Sequence, residues 1–165
     1  NNGFYFTSDK SEELFVRSKE IYDGAIPSGN SVAAYNFIRL SKILSRNDYE
    51  DIAYKIVDAF AYNLNRSGTY SSMLLQAITL MEKPFYEVII VGDADKSSNL
   101  IRFIQQHPQP NKIIIYSNGL ANDNMFEFLD FYKSNKNGEP LVYVCQNYSC
   151  KLPTDNIKIL NDLLE

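Results

Sequence analysis

A chain of 165 residues, 45% hydrophobic and 22% charged, is long enough to bury a core and has the composition of a folded protein rather than a disordered one. Its net charge of −4, with no run of Lys or Arg, speaks against a nucleic-acid surface or an anionic membrane as partner. No stretch approaches the roughly 18–20 continuous apolar residues that a membrane span needs.

The chain holds one histidine and two cysteines. A metal centre of about four ligands has no evident inventory here, and neither a metal nor a cofactor is expected. His107 stands beside Pro108 at the end of an apolar-periodic segment, where a surface or helix-end role is expected. Nothing places a nucleophile next to it. The sequons Asn65-Arg66-Ser67 and Asn147-Tyr148-Ser149 carry no weight without a sign of secretion. The first residues are Asn1-Asn2-Gly3 rather than Met, so a fragment or a processed product is expected.

Gly3-Phe4-Tyr5-Phe6-Thr7 is a short aromatic, β-prone run, followed by the polar turn Ser8-Asp9-Lys10-Ser11. Leu14-Phe15-Val16 is a second apolar run, ahead of Arg17 and Lys19. Taken alone the two runs read as a hairpin, with Arg17 a solvated charge.

The stretch from Glu20 to Ser31 is the most informative. Gly24 permits backbone conformations that other residues resist, and Pro27 biases Ile26 away from helix. Ser28 then occupies the N-cap position of a long periodic run. Asp23, Ser28, Asn30 and Ser31 therefore cluster at a helix N-terminus, where free N–H groups suit an anionic or hydroxyl-rich ligand. A well-capped helix start explains the same residues without a ligand.

Beyond Ser28 the period is helical. Ala33, Phe37, Leu40 and Leu44 define one apolar face. Asn47-Asp48-Tyr49-Glu50 starts a second helix, carrying Ile52, Ala53, Ile56, Val57, Phe60, Ala61 and Leu64 and closed by Arg66-Ser67-Gly68. A third helix carries Tyr70, Met73, Leu74, Ala77, Ile78 and Met81 and ends before Pro84. Short connections imply antiparallel neighbours. After Pro84 strands alternate with helices. Tyr86 to Val91, Lys112 to Tyr116 and Leu141 to Cys145 read as strands. Leu100, Phe103 and Ile104 mark a first intervening helix, Met125, Phe126, Leu129 and Tyr132 a second, and Ile157, Leu160 and Leu164 a last one. The alternation predicts a small three-stranded parallel sheet with right-handed crossovers. The fold class is α+β, with a boundary at Lys83-Pro84 that separates residues 1–84 from 85–165.

Asp93 follows the first strand at the edge where open α/β sheets bind ligands. Neither a dinucleotide fingerprint nor a P-loop accompanies it, and Val91-Gly92-Asp93 reads as a turn that caps the next helix. Cys145 and Cys150 are separated by four residues, which is not the C-x-x-C spacing. Packed thiols, a reversible disulfide and a metal pair all fit that spacing.

The Glu20–Ser31 stretch, with Val91-Gly92-Asp93, Pro110-Asn111-Lys112 and Tyr143-Val144-Cys145-Gln146-Asn147-Tyr148-Ser149-Cys150, resembles the C-terminal part of the thioredoxin-domain-containing YyaL / spermatogenesis-associated protein 20 family. The resemblance runs from about Gly3 to the last helix. It implies that the helical part comes from the end of an (α/α) toroid like those of six-hairpin glycosidases and N-acylglucosamine 2-epimerases. The partners it implies are a thioredoxin-like domain and further toroid hairpins, none of which has a counterpart in this chain. In such toroids the loops before inner helices face a central cleft, where carboxylates act as acids or bases around a sugar. On that analogy Asp23 is the catalytic candidate, with Glu20 the nearest other carboxylate. Ser28 and Asn30 would orient a carbohydrate ligand, and Tyr22 and Arg17 would line the cleft wall. The analogy also makes Cys145 and Cys150 redox candidates. The expected role is hydrolase- or epimerase-like within a longer cytoplasmic protein, the chain alone being inactive. The rival is a non-catalytic scaffold or a redox-linked interaction module.

Overall fold

The computed structural model describes residues 2–10, 15–119, 124–146 and 149–165. Leu14 of the second apolar run, Asn147 and Tyr148 of the second sequon, and the side chain of Met125 lie outside the described residues. Two compact units make up the chain: Asn1–Ser41 with Arg46–Lys83, and Lys42–Ser45 with Pro84–Glu165.

The first unit is helical: α1 (Gly29–Leu44), α2 (Asn47–Ala59), α3 (Ala61–Ser67) and α4 (Ser72–Glu82). Its core gathers Ala34, Ile56, Phe60, Leu74 and Ala77. The buried stripe of α1 is Asn30, Ser31, Ala34, Ile38 and Ser41, one residue round from the expected Ala33-Phe37-Leu40-Leu44 face. Leu40 is exposed. Small residues allow close approach of neighbouring backbone, and the buried hydroxyls are satisfied locally: Ser41 donates to the Ile38 carbonyl at 2.7 Å, and Ser31 meets Ser28 at 2.9 Å.

The expected single helix over Asp48 to Leu64 is two helices. Phe60, buried in the core, leaves helical geometry at φ −116°, ψ 9°, and its N–H bonds back three residues to Val57. Tyr70 belongs to a short 3-10 turn, Gly68–Tyr70, and not to α4. It is exposed rather than core.

The second unit holds a four-stranded mixed sheet in the order β2 (Lys112–Ser117), β1 (Tyr86–Val91), β3 (Leu141–Gln146), β4 (Ser149–Cys150). Every residue of β1 is buried, as befits a strand covered on both faces. Tyr86, Val88 and Ile90 pack with Leu100 and Ile104 of α5 (Ala94–Gln106) and with Leu160 and Leu164 of α6 (Ile157–Leu164). Ile89 and Val91 join Cys145, Phe128, Leu129 and Tyr132 on the other side.

The all-parallel expectation is corrected here. β2 pairs parallel with β1, but β3 pairs antiparallel with β1, and β4 antiparallel with β3. The expected second crossover helix is a 3-10 segment, Asn124–Phe131, kinked at Phe126. β2 ends beside Val91, and β3 begins beside the same Val91. A connection that leaves and re-enters at one edge reverses the strand direction. Gly92 makes that return possible: a Cβ there would stand 2.6 Å from Pro140 Cα, immediately before β3.

Candidate functional site

Asp23 is the hub of the helical unit. Its Oδ1 accepts the Ser28 N–H at 2.8 Å, and its Oδ2 accepts the N–H groups of Met73 at 2.8 Å and Leu74 at 3.2 Å. One carboxylate thus caps the first turn of α4 and braces the residue that caps α1. The Asp23 N–H bonds the Tyr70 carbonyl at 2.7 Å, and Ser71 Oγ donates to the Ile21 carbonyl at 3.2 Å. These bonds clamp the loop from Ile21 to Asp23 against the start of α4, some 50 residues further along the chain.

Ser28 caps α1: its Oγ accepts the Ser31 N–H at 3.1 Å and its carbonyl accepts the Val32 N–H at 3.1 Å. Asn30 is buried and acts as a staple. Its Nδ2 donates to the Phe4 and Glu20 carbonyls, both at 2.9 Å, while its Oδ1 accepts the Phe4 N–H at 2.6 Å. Arg17 donates to the Thr7 carbonyl at 2.6 Å and lies over the Tyr5 ring at 4.2 Å. It therefore organises the aromatic N-terminal segment. Glu20 lines a hollow of about 410 Å³ with Phe4, Tyr5 and Phe6.

Tyr22 stands elsewhere, in an open groove of about 480 Å³ walled by Tyr62, Tyr70, Asn63, Arg66 and Ser71. The Tyr22 and Tyr70 rings are 5.9 Å apart, and Arg66 donates to the Tyr62 hydroxyl at 3.0 Å. All three tyrosines are more than half exposed. Gly24 is tied to this groove, since a Cβ there would meet Tyr22 Cε1 at 2.7 Å. Of the residues singled out in sequence, the structure brings Asp23, Ser28 and Asn30 into one capping network and leaves Tyr22 beside it, in the groove. Arg17 is held at the N-terminal segment. The sequence pattern does not single out Tyr62, Asn63, Arg66 or Tyr70 as site residues. Tyr62 and Arg66 are spaced i, i+4 on α3, outside its apolar face, and that spacing was the available signal.

In the sheet unit Asp93 caps α5, accepting the N–H groups of Asp95 and Lys96 at 3.0 and 3.3 Å. His107 follows the last turn of α5, and its Nδ1 accepts the Gln109 N–H at 3.3 Å. Cys145 and Cys150 form a disulfide. Among the described residues, no group of three or more His, Cys, Asp or Glu side chains could hold a metal ion. Likewise no helix there is long and apolar enough to cross a membrane.

Compared with curated proteins, the chain matches spermatogenesis-associated protein 20 of Homo sapiens at 28% identity over 168 residues, and that of Rattus norvegicus at 27% over 170 residues. The chain is a relative of spermatogenesis-associated protein 20. An uncharacterized protein of Caenorhabditis elegans, B0495.5, matches at 24% over 165 residues. Each alignment takes in at least 98% of the chain. The chain spans about a fifth of the length of the spermatogenesis-associated proteins, 21% of the human one. No family model matches the chain, and no solved structure matches it.

Proposed function

We propose that the helical unit contributes a wall of a carbohydrate-binding cleft to a longer cytoplasmic protein. The observation that carries this reading is the groove of about 480 Å³ with three exposed tyrosines, Arg66 and Asn63 along it. Its volume lies within the range of about 300–1,000 Å³ usual for small-ligand sites. Tyrosine rings offer apolar faces to the C–H side of a sugar and hydroxyls to its rim, and Arg66 and Asn63 supply donors for hydroxyl or carboxylate groups.

In this reading Tyr22, Tyr62 and Tyr70 make the contacts, and Asp23 positions Tyr22 and Tyr70 by holding its loop against the start of α4. Acid–base work by Asp23 of hydrolase or epimerase type is the finer form of the proposal. It requires the carboxylate to release the Met73 and Leu74 N–H groups when substrate binds. The end of an (α/α) toroid remains the proposed setting, with the other hairpins and the thioredoxin-like domain of the resembling family as partners.

The test is a thermal-shift screen of the 165-residue chain against neutral, acidic and phosphorylated sugars, with Tyr22→Ala and Tyr62→Ala alongside. The expected result is stabilisation by one sugar class that both variants lose while their unliganded midpoints stay near wild type. Equal shifts in wild type and variants would remove the groove from the reading.

A further inference from the structure

The β3–β4 pair sets Cys145 opposite Cys150. The Lys151 N–H donates to the Val144 carbonyl at 3.0 Å, so Val144 and Lys151 are a hydrogen-bonded pair. Cys145 and Cys150 are then the adjacent non-hydrogen-bonded pair, where side chains of antiparallel strands come closest. The disulfide joins them there.

The two sulfurs have unequal surroundings. Cys145 is 1% exposed and packs among Ile89, Val91 and Tyr132, whereas Cys150 is exposed. The Tyr132 hydroxyl lies 3.5 Å from Cys150 Sγ and 3.9 Å from Cys145 Sγ. Disulfide sulfurs carry no proton, so the hydroxyl is the donor, and its one proton can serve either sulfur. Burial, aided by Glu87 and Tyr143, raises Tyr132 above the ordinary phenol value, which keeps that donor protonated at neutral pH. Glu87 faces Cys145 across the β1–β3 pairing and is itself buried.

We infer that the Cys145–Cys150 bond is an exchange site for a dithiol, attacked at Cys150 Sγ, with Cys145 as leaving sulfur and Tyr132 as its hydrogen-bond donor. Exchange requires a thiolate to reach one sulfur in line with the bond. Cys150 offers that access, and Cys145 does not. The attack forms a bond from the reductant to Cys150 and breaks the Cys145–Cys150 bond. The electron pair settles on Cys145 Sγ, which is met by the Tyr132 hydroxyl and takes a proton from solvent. The second thiolate of the reductant then attacks the reductant sulfur bound to Cys150 and releases Cys150 as a thiolate, which also takes a proton. The dithiol leaves as a disulfide, and the chain has gained two electrons and two protons. With the bond open, the segment after Cys150 is still held to β3 by the Lys151 N–H to the Val144 carbonyl and by the two bonds between Val142 and Thr154.

Two measurements on the folded 165-residue chain test this. Brief exposure to reduced glutathione, acid quenching and peptide mapping should place the mixed disulfide on Cys150; an adduct on Cys145 overturns the assignment. Reduction by dithiothreitol without denaturant should be faster than global unfolding, and about three- to tenfold slower in Tyr132→Phe, which lacks one hydrogen bond. The phenyl ring keeps its place against Tyr143, 4.9 Å away, and a melting curve verifies folding. A rate that matches global unfolding overturns the exchange site. An unchanged or faster rate in folded Tyr132→Phe overturns the donor role. If that variant does not fold, the adduct position and the wild-type rate still decide.

Discussion

The helical unit and the sheet unit are held by different means. In the sheet unit β1 sends alternate side chains into two apolar clusters, and the strand order follows from backbone pairing. In the helical unit the apolar core of Ala34, Ile56, Phe60, Leu74 and Ala77 is joined by long-range polar ties: Asp23 reaches α4, and Asn30 reaches Phe4 and Glu20. Apolar burial is spread over many contacts, whereas a polar tie concentrates its effect in one or two atoms. The helical unit is therefore the one in which a single polar substitution has far-reaching effects.

Ile104→Ala should give the largest loss, about 2–5 kcal/mol in denaturant unfolding, because Ile104 is wholly buried between α5 and the sheet. Asp23→Ala removes the cap of α4 and the brace on Ser28, and should cost about 1–4 kcal/mol, each cap being worth about 0.5–2 kcal/mol. If Asp23→Ala melted like wild type, the polar-tie account of this unit would be wrong. Asn30→Ala leaves the Phe4 N–H and the Phe4 and Glu20 carbonyls without their partner, for an expected cost of about 1–3 kcal/mol. Hydrogen exchange should then rise at Phe4, which separates lost stapling from general destabilisation.

Smaller effects sharpen the contrast. Gly24→Ala should leave the melting midpoint nearly unchanged, since the atom in the way is the mobile Tyr22 ring. It should shift the Tyr22 ring resonances and weaken any groove ligand. Asp48→Asn is the null case. A hydrogen bond from Arg46 holds the Asp48 carboxyl below its ordinary value. Any contribution to stability is thus present above the ordinary carboxylate range and is lost as pH falls through the lowered value. Both side chains are about half exposed, so solvent screens the pair. The midpoint of Asp48→Asn should match wild type at neutral pH.

Much of the local structure was legible. Ser28 as a cap, Asp93 as a cap and His107 at a helix end follow from chemistry that acts within a few residues. The β1 run of apolar residues was recognisable because both its faces are covered. Other features resisted. Hydropathy points one residue off the α1 stripe, because the buried face uses Ser31, Ala34 and Ser41, which rank below Phe37 and Leu40. The spacing of Tyr70 continues that of the third helix, although α4 starts only at Ser72.

Local periodicity, turn residues and caps determined where helices and strands form, since those signals depend on neighbours within one or two turns. Tertiary structure alone decided that β3 runs antiparallel, because direction is set by the sheet edge at which a connection re-enters. It also decided that the Asp23 carboxylate is spent on the backbone of α4 and that Tyr22 meets Tyr62 and Tyr70. Those partners lie 40 to 51 residues away in sequence, beyond the reach of any periodic pattern.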